Sequence, residues 1–105
     1  MDNNNLHNKT NNEGLIGTHQ TSIYMSDNNV IVKYWNTNIV TITNDSIILN
    51  NGGWYTSTTK RRMNQASEQF NLNFHVYQKN YNWYCEYDNK IFSFTGNCLS
   101  LPRAH

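Results

Sequence analysis

One stretch decides how the chain is organised: Asn50-Asn51-Gly52-Gly53-Trp54-Tyr55-Thr56-Ser57-Thr58-Thr59-Lys60-Arg61-Arg62-Met63-Asn64-Gln65. Its double glycine predicts a turn, because glycine adopts positive φ at no steric cost. The hydroxyl residues Ser57, Thr58 and Thr59 that follow are each competent helix N-caps. The stretch therefore marks a junction between a β region and a helix. It also places three consecutive cations near the positive end of the helix dipole, where they need compensation.

A helix is predicted downstream of this junction, because Met63, Ala66 and Phe70 recur at i, i+3 and i+7. Asn71 is a plausible C-cap for it. Alternating apolar and polar residues predict strands on either side of the helix. Ile39–Thr43 is one such segment, with Ile39, Thr41 and Thr43 on one face. The predicted strand segments are Thr21–Met25, Val30–Trp35, Ile39–Thr43, Ser46–Leu49, a short one at Trp54–Thr56, Phe74–Lys79, Trp83–Tyr87, Lys90–Thr95 and Cys98–Leu101.

The predicted fold class is α+β: one mostly antiparallel β-sheet, a meander followed by C-terminal hairpins, packed against one α-helix. The loops are too short for parallel crossovers, so consecutive strands should pair antiparallel. Residues 1–18 are predicted to be a disordered, asparagine-rich tail, because they carry too few apolar side chains to offset the entropy cost of ordering. Residues 19–102 form the single domain, with Trp35 and Trp83 expected in its core, and residues 103–105 are a C-terminal tail.

Composition excludes a strongly basic, histone-like binder, because the net charge of the 105-residue chain is only +1. Charged residues make up 14% of the chain, well below the roughly 25% of an average domain. Between Asn51 and Asn80, however, the sequence has four cationic residues and only one acidic residue, Glu68. That third of the chain is therefore locally basic. The cations are Lys60, Arg61, Arg62 and Lys79.

Other site classes find little support in the sequence. No signal peptide and no apolar run near 18 residues is present, so we expect an intracellular, non-membrane protein. Cys85 and Cys98 are too few for a disulfide framework; free thiols are the default, and spacing leaves their pairing open. The histidines lack metal-ligand spacing with these cysteines, so neither a metal nor another cofactor is expected. No catalytic constellation stands out, and we expect that the protein is not an enzyme.

The basic trio Lys60-Arg61-Arg62 has two readings. In one, the cations are solvated and a threonine hydroxyl satisfies the helix start. In the other, free backbone N–H groups, the hydroxyls of Thr58 and Thr59 and two or three of the cations converge on one anion. Gly52-Gly53 would then let the backbone approach the ligand. The spacing of a Walker loop is absent, which argues against a nucleoside triphosphatase.

Aromatic residues crowd the hairpin around Lys79, and alternation forces some of them onto the solvent face. Exposed rings beside cations are used for base stacking by single-strand binders and equally as hot spots by protein-binding surfaces. The candidate nucleic-acid-binding residues are therefore Trp54, Tyr55, Thr58, Thr59, Lys60, Arg61, Arg62, Lys79, Tyr81 and Tyr84.

The run from Leu49 to Gln65, followed by Phe70, Val76-Tyr77-Gln78-Lys79 and Trp83-Tyr84, resembles a group of small bacteriophage proteins. Their pattern is L-N-x-G-G-W-x-T-x-T-T-K-x-R-M-N, followed by a Q-K…W-[YF] hairpin. The resemblance extends from about Asn36 to Phe94 and leaves out the asparagine-rich N-terminal segment. It implies a phage origin, and it does not imply a particular chemistry.

The leading hypothesis is thus a non-enzymatic phage accessory protein in the cytoplasm of the infected host cell, which binds nucleic acid non-specifically through phosphate contacts and ring stacking. The first alternative is a protein-interaction module that binds a host or phage protein. The second is a minor structural or replication component. A homodimer would help to complete a core that is small for an independent domain.

Overall fold

The computed structural model describes residues 20–103, in which eight strands and one helix confirm the predicted α+β class. The predicted tail at residues 1–18 and the last two residues of the predicted C-terminal tail lie outside the described residues. The elements in chain order are β1 (Thr21–Ser26), β2 (Asn29–Tyr34), β3 (Thr37–Ile42), β4 (Ser46–Asn50), α1 (Ser57–Gln69), β5 (Phe74–Lys79), β6 (Asn82–Tyr87), β7 (Lys90–Ser93) and β8 (Cys98–Pro102).

The strands form two antiparallel sheets, so the expectation of one sheet was wrong. The first sheet has the order β1-β2-β3-β4-β8, and the second has the order β5-β6-β7. After β7 the chain turns at Gly96 and returns to the first sheet, where Leu101 pairs with Ile47 of β4. Leu101 is fully buried, which explains why β8 leaves the hairpins and completes the larger sheet.

Two-residue turns connect three of the hairpins: Asp27-Asn28, Asn80-Tyr81 and Asp88-Asn89. Both residues of each turn have positive φ, as a type I′ turn requires. Aspartate and asparagine tolerate this backbone conformation, whereas a bulky ring there is unusual. Tyr81 is therefore the exception among these turn residues, with a φ of 68°.

A β-bulge at Ile39 breaks the strict alternation that was expected in β3. Val32 of β2 pairs with Val40, but the next residue, Lys33, pairs with Asn38, so Ile39 has no direct partner. Ile39 and Val40 are consequently both fully buried, although they are adjacent in the chain. A single extra residue in one strand of a pair produces this effect, because it lets two consecutive side chains point to the same face of the sheet.

The helix begins earlier than predicted. Thr56 is the N-cap, and its hydroxyl accepts a hydrogen bond from the backbone N–H of Thr59, so the caps predicted at Ser57, Thr58 and Thr59 were wrong. The predicted strand at Trp54–Thr56 does not form. The N–H of Trp54 instead bonds to the carbonyl of Asn51 and closes the turn at Gly52-Gly53.

The helix ends one residue before the predicted C-cap. Phe70 is the C-cap, and Asn71 follows it with a φ of 56°. The N–H of Leu72 then bonds to the carbonyl of Ser67, and the N–H of Asn71 to that of Glu68. This pair of bonds is the Schellman motif, for which asparagine is a suitable left-handed residue.

One face of α1 closes the core between the two sheets. Its predicted stripe is confirmed, because Met63 and Ala66 are fully buried and Phe70 is nearly so. The helix contacts β2 and β3 of the first sheet and β5 of the second. The buried cluster therefore joins residues of both sheets and the helix into one hydrophobic core.

Side chains of α1 also cover the open edge of β5. The amide of Asn64 accepts from the N–H of Val76 and donates to its carbonyl, at 2.8 and 3.0 Å. The hydroxyl of Ser67 does the same with Phe74, at 2.9 and 2.8 Å. Asn64 and Ser67 thus take the place of a neighbouring strand, and they fix α1 beside β5.

One further prediction needs correction. Trp83 is buried as expected, but Trp35 is 49% exposed, because it lies in the turn after β2 with a φ of 55°. Arg103, the first residue of the predicted C-terminal tail, donates its backbone N–H to the carbonyl of Asp45 and a guanidinium N–H to the carbonyl of Thr43. Arg103 therefore anchors the chain end to the turn between β3 and β4.

Candidate nucleic-acid interface

An open groove of about 1030 Å³ lies along the junction of α1 and β5. Lys60 and Arg61 line its helix wall, and His75 and Tyr77 line the opposite wall formed by β5. Tyr81, at the tip of the hairpin between β5 and β6, lies at its rim. The groove thus has cations on one side and rings on the other, because Asn64 and Ser67 hold the two elements side by side.

The rings on the strand wall belong to an aromatic row on the solvent face of the second sheet. Alternation along β5 sends Phe74 and Val76 into the core, which leaves His75 and Tyr77 on the outer face. The rings of His75 and Tyr77 are stacked, with centroids 6.1 Å apart and planes 16° apart. Tyr77 pairs across the strands with Tyr84, at a centroid distance of 5.7 Å. We call His75, Tyr77 and Tyr84 the aromatic row.

Lys79 follows on the same strand and is exposed. By alternation it shares a face with His75 and Tyr77, so it extends the aromatic row with a cation at the hairpin end. Lys79 does not line the groove itself.

Lys60 is held in place by its neighbours. Its Nζ donates to Oε1 of Gln78 at 2.7 Å and lies 5.2 Å from the centroid of the Trp83 ring. The same ring has edge contacts with Tyr55 and Phe94, at 5.9 and 5.5 Å. A cation over an indole face is attracted to it, and pre-orientation lowers the entropy cost of binding an anion. Trp83 is therefore a core residue that also positions a groove residue.

Tyr81 is the most exposed aromatic side chain of the described residues, at 93%. It lines both the groove and a smaller hollow of about 480 Å³ near Tyr55 and Tyr84. A bulky residue with positive φ is strained, and such strain persists where the surroundings enforce it and is common at functional sites. The ring of Tyr81 thus stands free between two concave surfaces.

The three cations of the basic trio lie on different sides of the helix. Because Thr56 is the N-cap, Lys60 lies in the second turn, and the macrodipole effect is strongest within the first. Arg61 is exposed and lines the groove, whereas Arg62 is half-buried, does not line it and donates to Gln65 of its own helix. Consecutive helical residues point about 100° apart, so of the two or three cations that the anion hypothesis brought together, only Lys60 and Arg61 line the groove.

The hydroxyl residues and glycines of the stretch from Asn50 to Gln65 have structural roles. Thr59 is fully buried, with its hydroxyl 3.1 Å from that of Thr56, and Thr58 is half-buried outside the groove. Gly52 lies against Thr37, where an added Cβ would clash, so its close approach is to β3. The first turn therefore does not present the predicted set of ligand groups.

The remaining predicted aromatics lie elsewhere. Tyr55 is 54% exposed and hydrogen-bonds through its hydroxyl to the side chain of Asn97, beside the smaller hollow. Trp54 is 45% exposed and lines neither concave surface. The structure brings together Lys60, Arg61, Lys79, Tyr81 and Tyr84 around the aromatic row and the groove, and it leaves Trp54 outside.

Sequence reasoning missed two residues of this surface. Neither His75 nor Tyr77 was among the candidate residues. A signal was available, because the two-residue turn at Asn80-Tyr81 fixes the register and sets Tyr77 opposite Tyr84.

Charge and metal chemistry limit what the surface can bind. Glu68 also lines the groove, so its two cations are partly balanced. Within residues 20–103, no group of three or more His, Cys, Asp or Glu side chains is placed to hold a metal ion. Over the same residues, no helix combines the length and the apolar character needed to cross a membrane.

Comparison with known proteins places the chain beside a family of bacteriophage proteins. The family model described as Kyanoviridae Gp96 protein matches residues 2–98. The match confirms the bacteriophage group, but it does not test the motif of the Leu49–Gln65 run. It also reaches into the asparagine-rich N-terminal segment, which the resemblance had left out. No curated protein and no solved structure matches the chain.

Proposed function

The chain belongs to the Kyanoviridae Gp96 family of bacteriophage proteins, and from that premise we propose that it is a small phage accessory protein that binds single-stranded nucleic acid. It would act without catalysis in the cytoplasm of the infected cell. One observation carries the proposal: the groove between α1 and β5 is lined by Lys60 and Arg61 on the helix and, on the strand, by the exposed ring of His75 and the half-buried ring of Tyr77.

The two walls have complementary roles. The cations contact phosphates, which gives affinity without reading the sequence. The rings of the aromatic row and of Tyr81 stack on bases, which any base allows because each has a π-face. Base faces are covered in a duplex, so this arrangement favours unpaired strands. Lys79 contacts a further phosphate beyond the hairpin end.

The charges predict weak, salt-sensitive binding. With two or three phosphate contacts, the logarithm of the binding constant should fall with the logarithm of salt concentration at a slope between about −1.4 and −2.1. Glu68 lowers the local potential and keeps the affinity modest.

Fluorescence anisotropy with a labelled single-stranded oligonucleotide tests the proposal. Titrations at several salt concentrations should give a negative slope, and the duplex of the same sequence should bind less tightly. Absence of binding at low salt, salt-independent binding, or equal affinity for the duplex would overturn it.

A second candidate function is recognition of a host or phage protein. It is favoured by Ile91, which is 67% exposed on the same sheet face as the aromatic row, since it pairs with Glu86 and Glu86 pairs with His75. Aromatic anchors with a neighbouring aliphatic side chain are typical of protein hot spots. Capture of partners from infected cells, with and without nuclease, separates the two candidates. A partner that survives nuclease treatment supports recognition of a protein.

A further inference from the structure

The described part of the chain has four sheet edges, and three of them are protected. Asn64 and Ser67 cover β5. β8 ends in Pro102, which has no N–H to offer another strand, and β7 has only four residues and begins with Lys90. Natural proteins block unwanted pairing by such means, and a fourth edge without them is open to another strand.

The fourth edge is β1, which lacks each of these devices. Its six residues carry no charge and no proline, and its register with β2 is unbroken from end to end. The two-residue turn makes Ser26 and Asn29 a hydrogen-bonded pair. Hydrogen-bonded and non-hydrogen-bonded pairs alternate along an antiparallel ladder, so Ile23 and Met25 belong to non-hydrogen-bonded pairs with β2. Ile23 and Met25 therefore direct their backbone N–H and C=O groups away from β2, toward the open edge.

We propose that β1 pairs antiparallel with β1 of a second copy of this chain, about a two-fold axis at Tyr24. In this register Ile23 of each copy lies opposite Met25 of the other, which provides up to four backbone hydrogen bonds. The two five-stranded sheets then form one continuous sheet. The pairing is independent of nucleic-acid binding.

The side chains of β1 fit a second copy. An uncharged strand pairs with itself without bringing like charges together. Tyr24, 38% exposed, lies opposite Tyr24 of the second copy in a non-hydrogen-bonded pair, where aromatic pairs are favourable. Met25, half-buried at the edge, gains cover on the core face. Ser22 and Ser26, both exposed, lie opposite each other across the interface.

Sedimentation equilibrium of the full chain tests the proposal. An edge pair is smaller than the roughly 1,200 Å² of a standard stable interface, so the dimer should depend on concentration. The mass should rise from 12.3 kDa toward twice that value. A mass that stays at one chain at every soluble concentration overturns the proposal.

A matched pair of variants tests the interface and its register. S22K/S26K sets like charges opposite each other twice, and should weaken association by roughly tenfold or more. S22K/S26E sets opposite charges across the same positions and should retain the dimer. Equal association of the two variants overturns the proposal, provided that both melt at the same temperature.

Cross-linking gives an independent readout that does not depend on charge. In a Cys98→Ser background, Tyr24→Cys should form a disulfide-linked dimer under mild oxidation, because residues of a non-hydrogen-bonded pair have Cα atoms about 4.5 Å apart. Ser22→Cys should not, because its counterpart lies four residues along the other strand. Cross-linking of both variants to the same extent, or of neither, contradicts the two-fold axis at Tyr24.

Discussion

Gly52, in the stretch from Asn50 to Gln65, packs closely against Thr37 of β3. Its φ is +61°, and a Cβ built on it would lie 2.8 Å from Cγ2 of Thr37 and closer still to the Thr37 hydroxyl. Gly53 has a φ of +87°, but a Cβ there would meet no atom within 4 Å. Both glycines are required by the turn, and only Gly52 is also required by a neighbour.

This difference predicts unequal effects of alanine at the two positions. Gly53→Ala should lower the free energy of unfolding by about 1 kcal/mol, the cost of positive φ for a residue with a Cβ. Gly52→Ala adds a clash with β3 and should cost roughly 2–4 kcal/mol. Urea denaturation of both variants measures the difference. Equal losses would show that Thr37 does not constrain the turn.

The two cysteines differ in environment, and this predicts different reactivities. Cys85 is fully buried, and desolvation raises the pKa of its thiol to about 12, with a smaller contribution from Glu86. A hydrogen bond with the backbone of His75 acts in the opposite direction. Because the thiolate is the nucleophile, Cys85 should react far more slowly at pH 8 than an exposed cysteine. Cys98 is exposed.

Alkylation of the folded protein with iodoacetamide at pH 8 should therefore modify Cys98 and spare Cys85. In denaturant both should react, since burial is what protects Cys85. Mass spectrometry of peptides distinguishes the two sites. Modification of Cys85 in the native protein at the rate of Cys98 would mean that the second sheet opens readily.

At the scale of elements, the contact between α1 and β5 is the one on which the groove depends. The Ser67 hydroxyl both donates to and accepts from the backbone of Phe74, which is buried. Removing the hydroxyl leaves a buried N–H and a buried carbonyl without partners. Each unsatisfied group costs about 1–3 kcal/mol.

Ser67→Ala should accordingly lower the free energy of unfolding by roughly 2–4 kcal/mol. The matched control is Ser93→Ala, because Ser93 is exposed at the end of β7. That change should cost less than about 0.5 kcal/mol. Thermal or chemical denaturation compares the two, and a loss no larger in Ser67→Ala than in the control would contradict the role of Ser67 at the edge of β5.

Most elements were predictable from the sequence, and the misses have local reasons. Apolar alternation located the strands, and the i, i+3, i+7 spacing from Met63 to Phe70 located the helix. The cap was misplaced because Thr56 to Thr59 are all hydroxyl residues, and any of them suits the position. The bulge at Ile39 was not predictable, since it depends on pairing with β2.

At the scale of the whole molecule, the arrangement of the sheets was the part that local pattern did not reveal. Hairpins with short turns predict their own pairing, and the antiparallel meander was confirmed. The pairing of β4 with β8 joins strands far apart in the sequence, and both strands carry apolar residues that would also suit the second sheet. The choice is made by the shared core, in which Leu101 is buried.

The candidate surface was predicted only in part, because local sequence pattern does not reveal how the helix and the second sheet are arranged. Lys60 and Arg61 were found because a run of cations is visible in the sequence, and Tyr81 and Tyr84 because the hairpin is rich in rings. Which cation faces the rings depends on where the helix starts and on how Asn64 ties it to β5. Neither of these could be read from the run itself.

The central claim is that the groove between α1 and β5 binds single-stranded nucleic acid. Arg61 tests it most directly, because it is the exposed cation of the helix wall. Lys90 is the matched control: it is an exposed cation at the start of β7, outside the groove. Charge reversal at either position changes the net charge of the chain equally.

The decisive measurement is the affinity of Arg61→Glu and Lys90→Glu for one single-stranded oligonucleotide, by anisotropy across a range of salt concentrations. The account predicts that Arg61→Glu weakens binding about tenfold or more at low salt and reduces the magnitude of the salt slope by about one, while Lys90→Glu stays near the wild type. Equal losses in the two variants, or an unchanged affinity in Arg61→Glu, would contradict it.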